Sequence, residues 1–319
     1  MRERCSVLGL RPCTQLFKEA DLFLARIRTD NGTVVAARVA PDTLVRLDSL
    51  VPHAPDDPLA LLLEYDGEEL QRRTLALWKE AKASGSEPLT EGSVEFEPPV
   101  ARCGKVVCVA LNYVAHAQEG DFTPPTEPII FFKPPTSLIG HGQSVVCPAR
   151  STRLDYEVEL AVVIGSRARN VSADRWEDVV AGYTIFNDVT ARDLQLDAIA
   201  ANAPWDRSKG FDTFGPLGPY LVTPDEIPDP HDLDLEIRIG GNALQRSNTR
   251  HMIFPVGLLI ADITDGMTLE PGDVIGTGTP DGIGPTANGD VMEATIEGLG
   301  TLRSPVVFAA AVESPAVLA

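Results

Sequence analysis

Three closely spaced carboxylates are the strongest sign of chemistry in this sequence. The segment from Leu154 to Gly165 has the two-residue alternation and the β-branched content that predict a β-strand. Asp155, Glu157 and Glu159 would then share one face of the strand. The opposite face would be an apolar stripe formed by Tyr156, Val158, Leu160, Val162 and Ile164.

This arrangement of carboxylates indicates a bound cation. On a strand built for burial, the carboxylates would repel one another and lose solvation unless a positive charge lay among them. Oxygen ligands two residues apart suit a hard divalent ion, Mg²⁺, Mn²⁺ or Ca²⁺, whereas zinc favours His and Cys. A solvated acidic edge strand is the alternative that this segment alone leaves open.

A second candidate group follows a short strand of buried type between Lys105 and Leu111. If residues 112–120 form a helical turn, His116 and Glu119 lie on the same face, three residues apart. A carboxylate in this position orients an imidazole and raises its basicity, as in a general base with its partner. The alternative is a surface ion pair, because such pairs form easily on helices.

A predicted strand from Tyr183 to Val189 ends in polar residues and brings in a further carboxylate. Asp188 lies at that end, where it is either a third metal oxygen or the cap of the helix that follows. In that helix Arg192 and Gln195 again lie three residues apart and share a face.

Two lysines complete the candidates. Lys209 opens a Gly-rich loop, where it either faces solvent or balances the carboxylates and holds an anion. Lys133 ends a strand that Pro134 and Pro135 stop, a position where lysine is usually solvated.

The surrounding elements predict an α+β protein that is predominantly β. An Asp-Asn-Gly turn within residues 21–40 predicts a β-hairpin. A helix that ends near Gly85 is predicted from the spacing of Leu70, Thr74, Leu77 and Trp78. Residues 83–99 have no sustained period, so we expect a small N-terminal α+β domain over 1–98 and a catalytic domain over 99–319.

Composition excludes several classes of protein. A formal charge of -19 over 319 residues makes nucleic acid and anionic membranes poor partners. No apolar run approaches the roughly 20 residues of a membrane span, and the basic start is too soon interrupted for a secretory signal. The five cysteines, which include Cys5 and Cys13, form no Cys-x-x-Cys pair. We therefore expect a cytoplasmic protein with reduced thiols.

Several candidate residues belong to longer motifs, which follow a fixed order between about Lys105 and Val306. The motifs are Leu111-Asn-Tyr-x-x-His116-Ala-x-Glu119, Phe132-Lys-Pro-Pro-Thr-Ser-Leu-Ile-Gly140, the acidic segment, Ala181-Gly-Tyr-Thr-x-x-Asn187-Asp188-Val-Thr-Ala-Arg192-Asp-Leu-Gln195, Lys209-x-Phe-Asp-Thr-Phe-x-Pro-Leu-Gly-Pro219 and Met267-Thr-Leu-Glu-Pro-Gly-Asp-Val-Ile-x-Thr277-Gly-Thr-Pro280. Together they resemble the fumarylacetoacetate hydrolase family, in particular its smaller bacterial-type members.

The resemblance implies a role for each matching residue. Metal carboxylates, holding Mg²⁺ or Mn²⁺, would be Glu157, Glu159 and Asp188, with Lys209 beside the metal. The catalytic pair on a mobile lid would be His116 and Glu119. Substrate contacts would be Gln195 and Thr279, and we add Arg192 and Lys133 from the same motifs. The implied fold is a mixed β-sandwich roll, and the implied assembly is a homodimer.

Two departures from the family pattern bear on the substrate. Members that cleave acylpyruvates or decarboxylate oxaloacetate often have Arg where this chain has Leu111, which indicates a different or less acidic substrate group. The usual Gly-Lys-Ser order appears here as Ser208-Lys209-Gly210, so the lysine is retained and we expect a different backbone conformation of its loop.

These observations predict a metal-dependent hydrolase that cleaves a C–C bond in a small 2-oxo or 1,3-dicarbonyl acid through a metal-stabilised enolate. Decarboxylation and isomerisation or tautomerisation pass through the same enolate and remain open as alternatives. A non-catalytic metal-binding or ligand-binding protein is the third alternative. A purely structural site, however, has no use for His116 and Glu119.

Overall fold

The computed structural model describes residues 22–85 and 89–310, which form nineteen strands and five α-helices. Cys5, Cys13 and the basic start of the chain lie outside the described residues. The strands are β1 Phe23–Thr29, β2 Gly32–Ala40, β3 Thr43–Arg46, β4 Glu95–Glu97, β5 Val106–Ala110, β6 Ile129–Lys133, β7 Leu138–Ile139, β8 Val145–Cys147, β9 Leu154–Tyr156, β10 Val158–Ile164, β11 Val180–Asn187, β12 Thr190–Ala191, β13 Gly215–Val222, β14 Asp234–Ile239, β15 Asn242–Asn248, β16 Val274–Gly276, β17 Gly284–Pro285, β18 Val291–Ile296 and β19 Gly300–Phe308. The α-helices are α1 Pro58–Glu64, α2 Gly67–Ala83, α3 Val114–Glu119, α4 Arg192–Ala200 and α5 Val256–Gly266. Short 3-10 helices are Glu91–Ser93, Pro135–Ser137, Trp176–Val179, Asp206–Ser208, Pro224–Glu226 and Thr249–His251.

The strands form three sheets. The largest has eleven strands with the order β3-β2-β1-β13-β11-β10-β16-β5-β6, to which β4 is added beside β1 and β7 beside β13. A five-stranded sheet has the order β15-β14-β18-β19-β8, and a three-stranded sheet the order β12-β9-β17. The pairing of β1 with β13 makes the N-terminal hairpin part of the large sheet. The predicted division of the chain into two domains near residue 98 stays a prediction.

The predicted hairpin and helix of the N-terminal part are confirmed. Strands β1 and β2 pair antiparallel up to the turn, where Thr29 lies opposite Gly32. Helix α2 begins after Asp66, whose Oδ1 accepts a hydrogen bond from the backbone N–H of Glu69 at 2.8 Å. Its buried residues include Leu70, in agreement with the spacing in the sequence.

Strand β10 lies inside the large sheet with both faces buried. The predicted apolar stripe is confirmed, because these side chains join a core cluster that includes Ile237 and Leu302 of the five-stranded sheet. Ala161 and Val163 face the other way, into a second cluster with Leu70 of α2. Each fully buried aliphatic side chain contributes roughly 1.5–3 kcal/mol, so this two-sided burial fixes the strand firmly. The mostly β sandwich with few helices agrees with the predicted fold class.

The acidic segment is two strands rather than one, and the break falls at Glu157. Two buried amide side chains accept the backbone N–H groups there. Asn187 Oδ1 accepts from Glu157 N at 2.9 Å, and Gln245 Oε1 accepts from Val158 N at 3.0 Å. Buried backbone groups need such partners, and these two side chains stabilise the break.

Within residues 22–85 and 89–310, no helix combines the length and the apolar character needed to cross a membrane.

Candidate metal centre and active site

The fold brings three predicted metal carboxylates together. Glu157 lies at the strand break, Glu159 lies on β10, and Asp188 directly follows β11, which pairs with β10. One carboxylate oxygen from each of these residues lies within 4.8 Å of the other two. The residues are only 3%, 1% and 1% exposed, so the cluster is an interior site and the edge-strand alternative is wrong.

Two buried lysines lie against this carboxylate cluster. The Nζ of Lys209 donates to Glu157 Oε2 at 2.8 Å and also to Asp188 Oδ2. The Nζ of Lys133 donates to Asp188 Oδ1 at 2.5 Å and to the carbonyl oxygen of Val189 at 3.0 Å. The Lys133 side chain has 0% exposure, so the expectation that a strand-end lysine is solvated does not hold here. The site therefore carries one more positive charge than Lys209 alone supplies.

These charges set the pKa values of the cluster. Burial alone would raise the pKa of Glu157, but Lys209 and Arg192 hold it well below its usual range. Burial would lower the pKa of Lys209, and Asp188 and Glu157 reverse this, so its pKa is raised. For Lys133 burial prevails over Asp188, and its pKa is lowered. Glu157 and Lys209 therefore form a charged buried pair.

Arg192 lies at the start of α4 and binds protein groups with its whole guanidinium. It donates to Asp155 Oδ2 at 2.9 Å, to Glu157 Oε1 and to Gln195 Oε1. Arg153 donates to the other oxygen of Asp155, Oδ1, at 2.9 Å. The two arginines keep Asp155 outside the carboxylate cluster, although its place in the sequence suggested a single row of three. The predicted contacts of Arg192 and Gln195 with substrate stay predictions.

Glu159 is the member of the cluster whose charge is not balanced. Its Oε2 accepts one backbone hydrogen bond, from Gly278 N at 3.1 Å, and it makes no ion pair with any described residue. Burial is the largest cause that raises the pKa of Glu159 well above its usual value, and the charge of Asp188 is the next. Nearby, the buried hydroxyl of Tyr113 has no hydrogen-bond partner among the described residues. A hard divalent cation fits this donor set, because it would compensate the carboxylate that no lysine within residues 22–85 and 89–310 contacts.

The predicted catalytic pair lies on α3, beside the cluster. His116 Nδ1 lies 3.4 Å from Glu119 Oε2, and Glu119 Oε1 accepts a hydrogen bond from Gly282 N at 3.1 Å. His116 is close enough to Glu157 to contribute to the lowering of its pKa. The pair is not fully buried: its side chains are 12% and 34% exposed. An imidazole with an oriented Nδ1 therefore lies near the cluster and is partly accessible to solvent.

Thr279 follows β16 and is buried beside the strand break. Its hydroxyl donates to the carbonyl oxygen of Val158 at 2.9 Å and accepts from Gln245 Nε2 at 2.9 Å. The side chain thus supports the backbone next to Glu157. Its contact with substrate stays a prediction.

Four supporting residues were missed at the sequence level. They are Asn112, Tyr113, Asn187 and Gln245, all buried. A weak signal existed for Asn112, Tyr113 and Asn187, because they lie inside the recognised motifs beside predicted site residues. Gln245 lies outside those motifs, on a strand whose sequence gives no reason to place it near Glu157.

Comparison with known proteins agrees with this geometry. The family model for the fumarylacetoacetate (FAA) hydrolase C-terminal domain matches residues 105–307. A 2,4-didehydro-3-deoxy-L-rhamnonate hydrolase from a Sphingomonas species is 46% identical over 246 residues, which cover 75% of this chain and 85% of that protein. The structure of fumarylacetoacetate hydrolase from Exiguobacterium antarcticum has a TM-score of 0.75 at 31% identity, covering 90% of this chain and 100% of that one. A 5-carboxymethyl-2-hydroxymuconate delta-isomerase from Mycobacterium smegmatis has a TM-score of 0.70 at 34% identity, covering 91% and 100%.

The matched region contains the carboxylate cluster, both buried lysines and the pair on α3. It also covers more than half of the chain. The chain therefore belongs to the fumarylacetoacetate hydrolase family.

Proposed function

We propose that this chain is a divalent-cation-dependent hydrolase that cleaves a C–C bond in a small 2-oxo or 1,3-dicarbonyl acid. The observation that carries the proposal is a buried carboxylate cluster with one member that no described lysine or arginine pairs with, next to a histidine whose Nδ1 is held by a carboxylate. The rhamnonate-derived substrate of the Sphingomonas relative is consistent with a small acid as the substrate class.

In this proposal Glu157, Glu159 and Asp188 hold the cation. We propose Mg²⁺ as that cation and Mn²⁺ as the second choice, and the oxygen ligands also suit Ca²⁺. The bound cation supplies Lewis-acid stabilisation of negative charge on substrate oxygens. Lys209 and Lys133 hold the cluster in place, because each ammonium donates to Asp188.

The pair on α3 provides the base. With Nδ1–H facing Glu119, the imidazole of His116 has Nε2 free to take a proton from water. The resulting hydroxide adds to the carbonyl carbon distal to the acid group, and collapse of that adduct breaks the C–C bond. The bonding electrons pass to the departing carbon as an enolate, which the proton from His116 then quenches. Two smaller acids result, and no oxidant or reductant is needed.

Isomerisation is the second candidate, because the Mycobacterium smegmatis protein that this structure resembles is described as a delta-isomerase. Proton removal and return by His116 would be enough for that reaction, without addition of water. Decarboxylation of a related 2-oxo dicarboxylate also passes through an enolate. The three reactions share the residues named above and differ in the substrate bound.

The proposed function is tested by turnover of a substrate panel before and after cation removal. The panel comprises acylpyruvates, oxaloacetate, ring-cleavage dienoates and a 2,4-diketo sugar acid. We expect turnover of at least one substrate, its loss after treatment with EDTA, and its recovery on addition of Mg²⁺ or Mn²⁺. Full activity in the chelated protein, or cation binding without turnover of any member, would contradict the proposal.

We also propose that the chain forms a homodimer through an apolar surface beside β6. This strand is at the end of the large sheet, and its side chains Ile129 and Phe132 are 40% and 42% exposed. Leu196 and Ile199 of α4 are 53% and 38% exposed. Both elements pack on the 3-10 helix Asp206–Ser208, so β6 and α4 border one region. Exposed apolar groups around an open sheet edge favour association.

This assembly predicts a particle of twice the 34.3 kDa chain mass in light scattering coupled to gel filtration. Phe132→Glu should shift the equilibrium to monomer by at least about tenfold in dissociation constant, because it buries a charge in the contact. Leu63→Glu is the matched control, since Leu63 is 80% exposed on α1, which packs on β1 in the other half of the large sheet. A monomeric wild type, or equal effects of both substitutions, would refute the interface.

A further inference from the structure

We propose that Asn112 is a positioning residue that sets the distance between the base-carrying helix α3 and the carboxylate cluster. This inference rests on the proposed function of His116 as a base. Asn112 has 0% exposure and lies between β5 and α3, outside the cluster and the pair. It acts through neighbouring segments rather than on the substrate.

The side chain of Asn112 is satisfied by two segments distant in sequence. Its Oδ1 accepts from Phe254 N at 2.8 Å. Its Nδ2 donates to the carbonyl oxygens of Phe254 at 3.1 Å and Thr277 at 2.7 Å. The backbone oxygen of Asn112 also accepts from Ile253 N at 2.8 Å. One residue thus joins the start of α3, the segment before α5 and the segment after β16.

The segment after β16 is the one that contacts the carboxylate cluster. Gly278 donates its N–H to Glu159, directly after the carbonyl of Thr277 that Asn112 binds. At φ +95° Gly278 adopts a conformation that other residues rarely take, and a Cβ there would lie 2.7 Å from the Cβ of Asn112. The glycine therefore lets Asn112 pack directly on the backbone that binds Glu159.

On its other side Asn112 controls the start of α3. The next residue, Tyr113, is the N-cap of the helix and forms a bridge with Met252. Leu111, the residue before Asn112, has a φ of +56°, a strained backbone conformation for a residue other than glycine. A six-residue helix has little stability of its own, so its orientation depends on such contacts. At the far end, Glu119 binds Gly282 of the same loop that contains Gly278.

The position of His116 relative to the carboxylate cluster is thus set mainly by Asn112 at one end of α3 and by Glu119 at the other. Catalysis is sensitive to such distances, and a displacement of about 1 Å costs roughly 10²-fold in rate. Cation affinity depends on the cluster itself. A positioning role therefore predicts loss of kcat without a matching loss of cation binding.

The test compares Asn112→Ala and Asn112→Asp with Thr264→Val as the control. The Asp side chain keeps the shape of Asn but places an oxygen where Nδ2 donates to the carbonyl oxygens of Phe254 and Thr277, so the two hydrogen bonds are lost. Thr264, on α5, is also fully buried, and its hydroxyl accepts a hydrogen bond from Val171 N at 3.0 Å. We measure kcat and KM, Mn²⁺ affinity by calorimetry, and hydrogen exchange of residues 113–119. For both Asn112 variants we expect kcat to fall about 100-fold, with KM and Mn²⁺ affinity within about threefold and faster exchange in 113–119.

Each of the other outcomes contradicts either the positioning role of Asn112 or the proposed function. If kcat falls no further than in Thr264→Val, or if Mn²⁺ affinity falls as much as kcat, Asn112 does not set the spacing. If wild type turns over no substrate, the proposed function fails. Hydrogen exchange, which needs no turnover, then shows independently whether Asn112 holds α3: unchanged exchange in both variants overturns that anchoring as well.

Discussion

Glu157→Gln and Asp188→Asn are expected to abolish cation binding and cation-dependent turnover while the fold persists. Each substitution removes the charge of one of the three proposed oxygen ligands, so the loss should exceed the roughly 100-fold that loss of an outer partner of a metal ligand typically costs. Calorimetric titration with Mn²⁺ measures the binding directly, and circular dichroism checks the fold.

The lysines add a prediction about stability that separates the three carboxylates. Without cation, Glu157→Gln and Asp188→Asn leave Lys209 and Lys133 with too few counter-charges, and breaking a buried pair costs about 3–5 kcal/mol of unfolding free energy. Glu159 has no such partner among the described residues, so Glu159→Gln removes an unpaired buried carboxylate. We therefore expect Glu159→Gln to stabilise the cation-free protein although it too loses the cation.

Urea unfolding in EDTA measures these differences. Equal destabilisation by all three substitutions would mean that Glu159 has a charge partner in solution. The cluster would then hold no unpaired carboxylate for a divalent cation to compensate. Near-normal turnover of Glu157→Gln or Asp188→Asn would refute the assignment of these residues as ligands.

Much of this site could be predicted because its residues lie in compact sequence motifs. Strand periodicity is enough to place Glu157 and Glu159 on one face, and the family resemblance added Asp188, which follows the strand paired with theirs. His116 and Glu119 are neighbours on one turn, so their contact follows from helical spacing alone.

The remainder depends on contacts between residues far apart in sequence. The break at Glu157 is stabilised by Gln245, whose position no local pattern reveals. Lys133 lies 55 residues from Asp188, and a strand-end lysine looks the same in sequence whether it is solvated or buried. Asn112 binds partners 142 and 165 residues away. Hydrogen bonds of this kind are specified by tertiary packing, so sequence period and propensity carry no information about them.

His116→Ala is expected to lower kcat by about 10²- to 10⁴-fold, the usual contribution of a positioned general base. Affinity for Mn²⁺ should stay close to wild type, because His116 is not a member of the carboxylate cluster. Steady-state kinetics at saturating Mg²⁺, together with calorimetry, separates the two effects. Added imidazole should recover part of the rate, since the cavity left by the ring lies next to Glu119 and the side chain it replaces is 12% exposed.

The matched control for this substitution is His53→Ala. His53 is exposed in the N-terminal part of the chain, so its replacement should leave kcat unchanged. Glu119→Gln tests the same pair from the other side: it keeps the shape but loses the charge that orients Nδ1, and its effect should be smaller than that of His116→Ala. A rise in KM with unchanged kcat in His116→Ala would show that the imidazole binds substrate. The base would then have to be sought among other groups at the site.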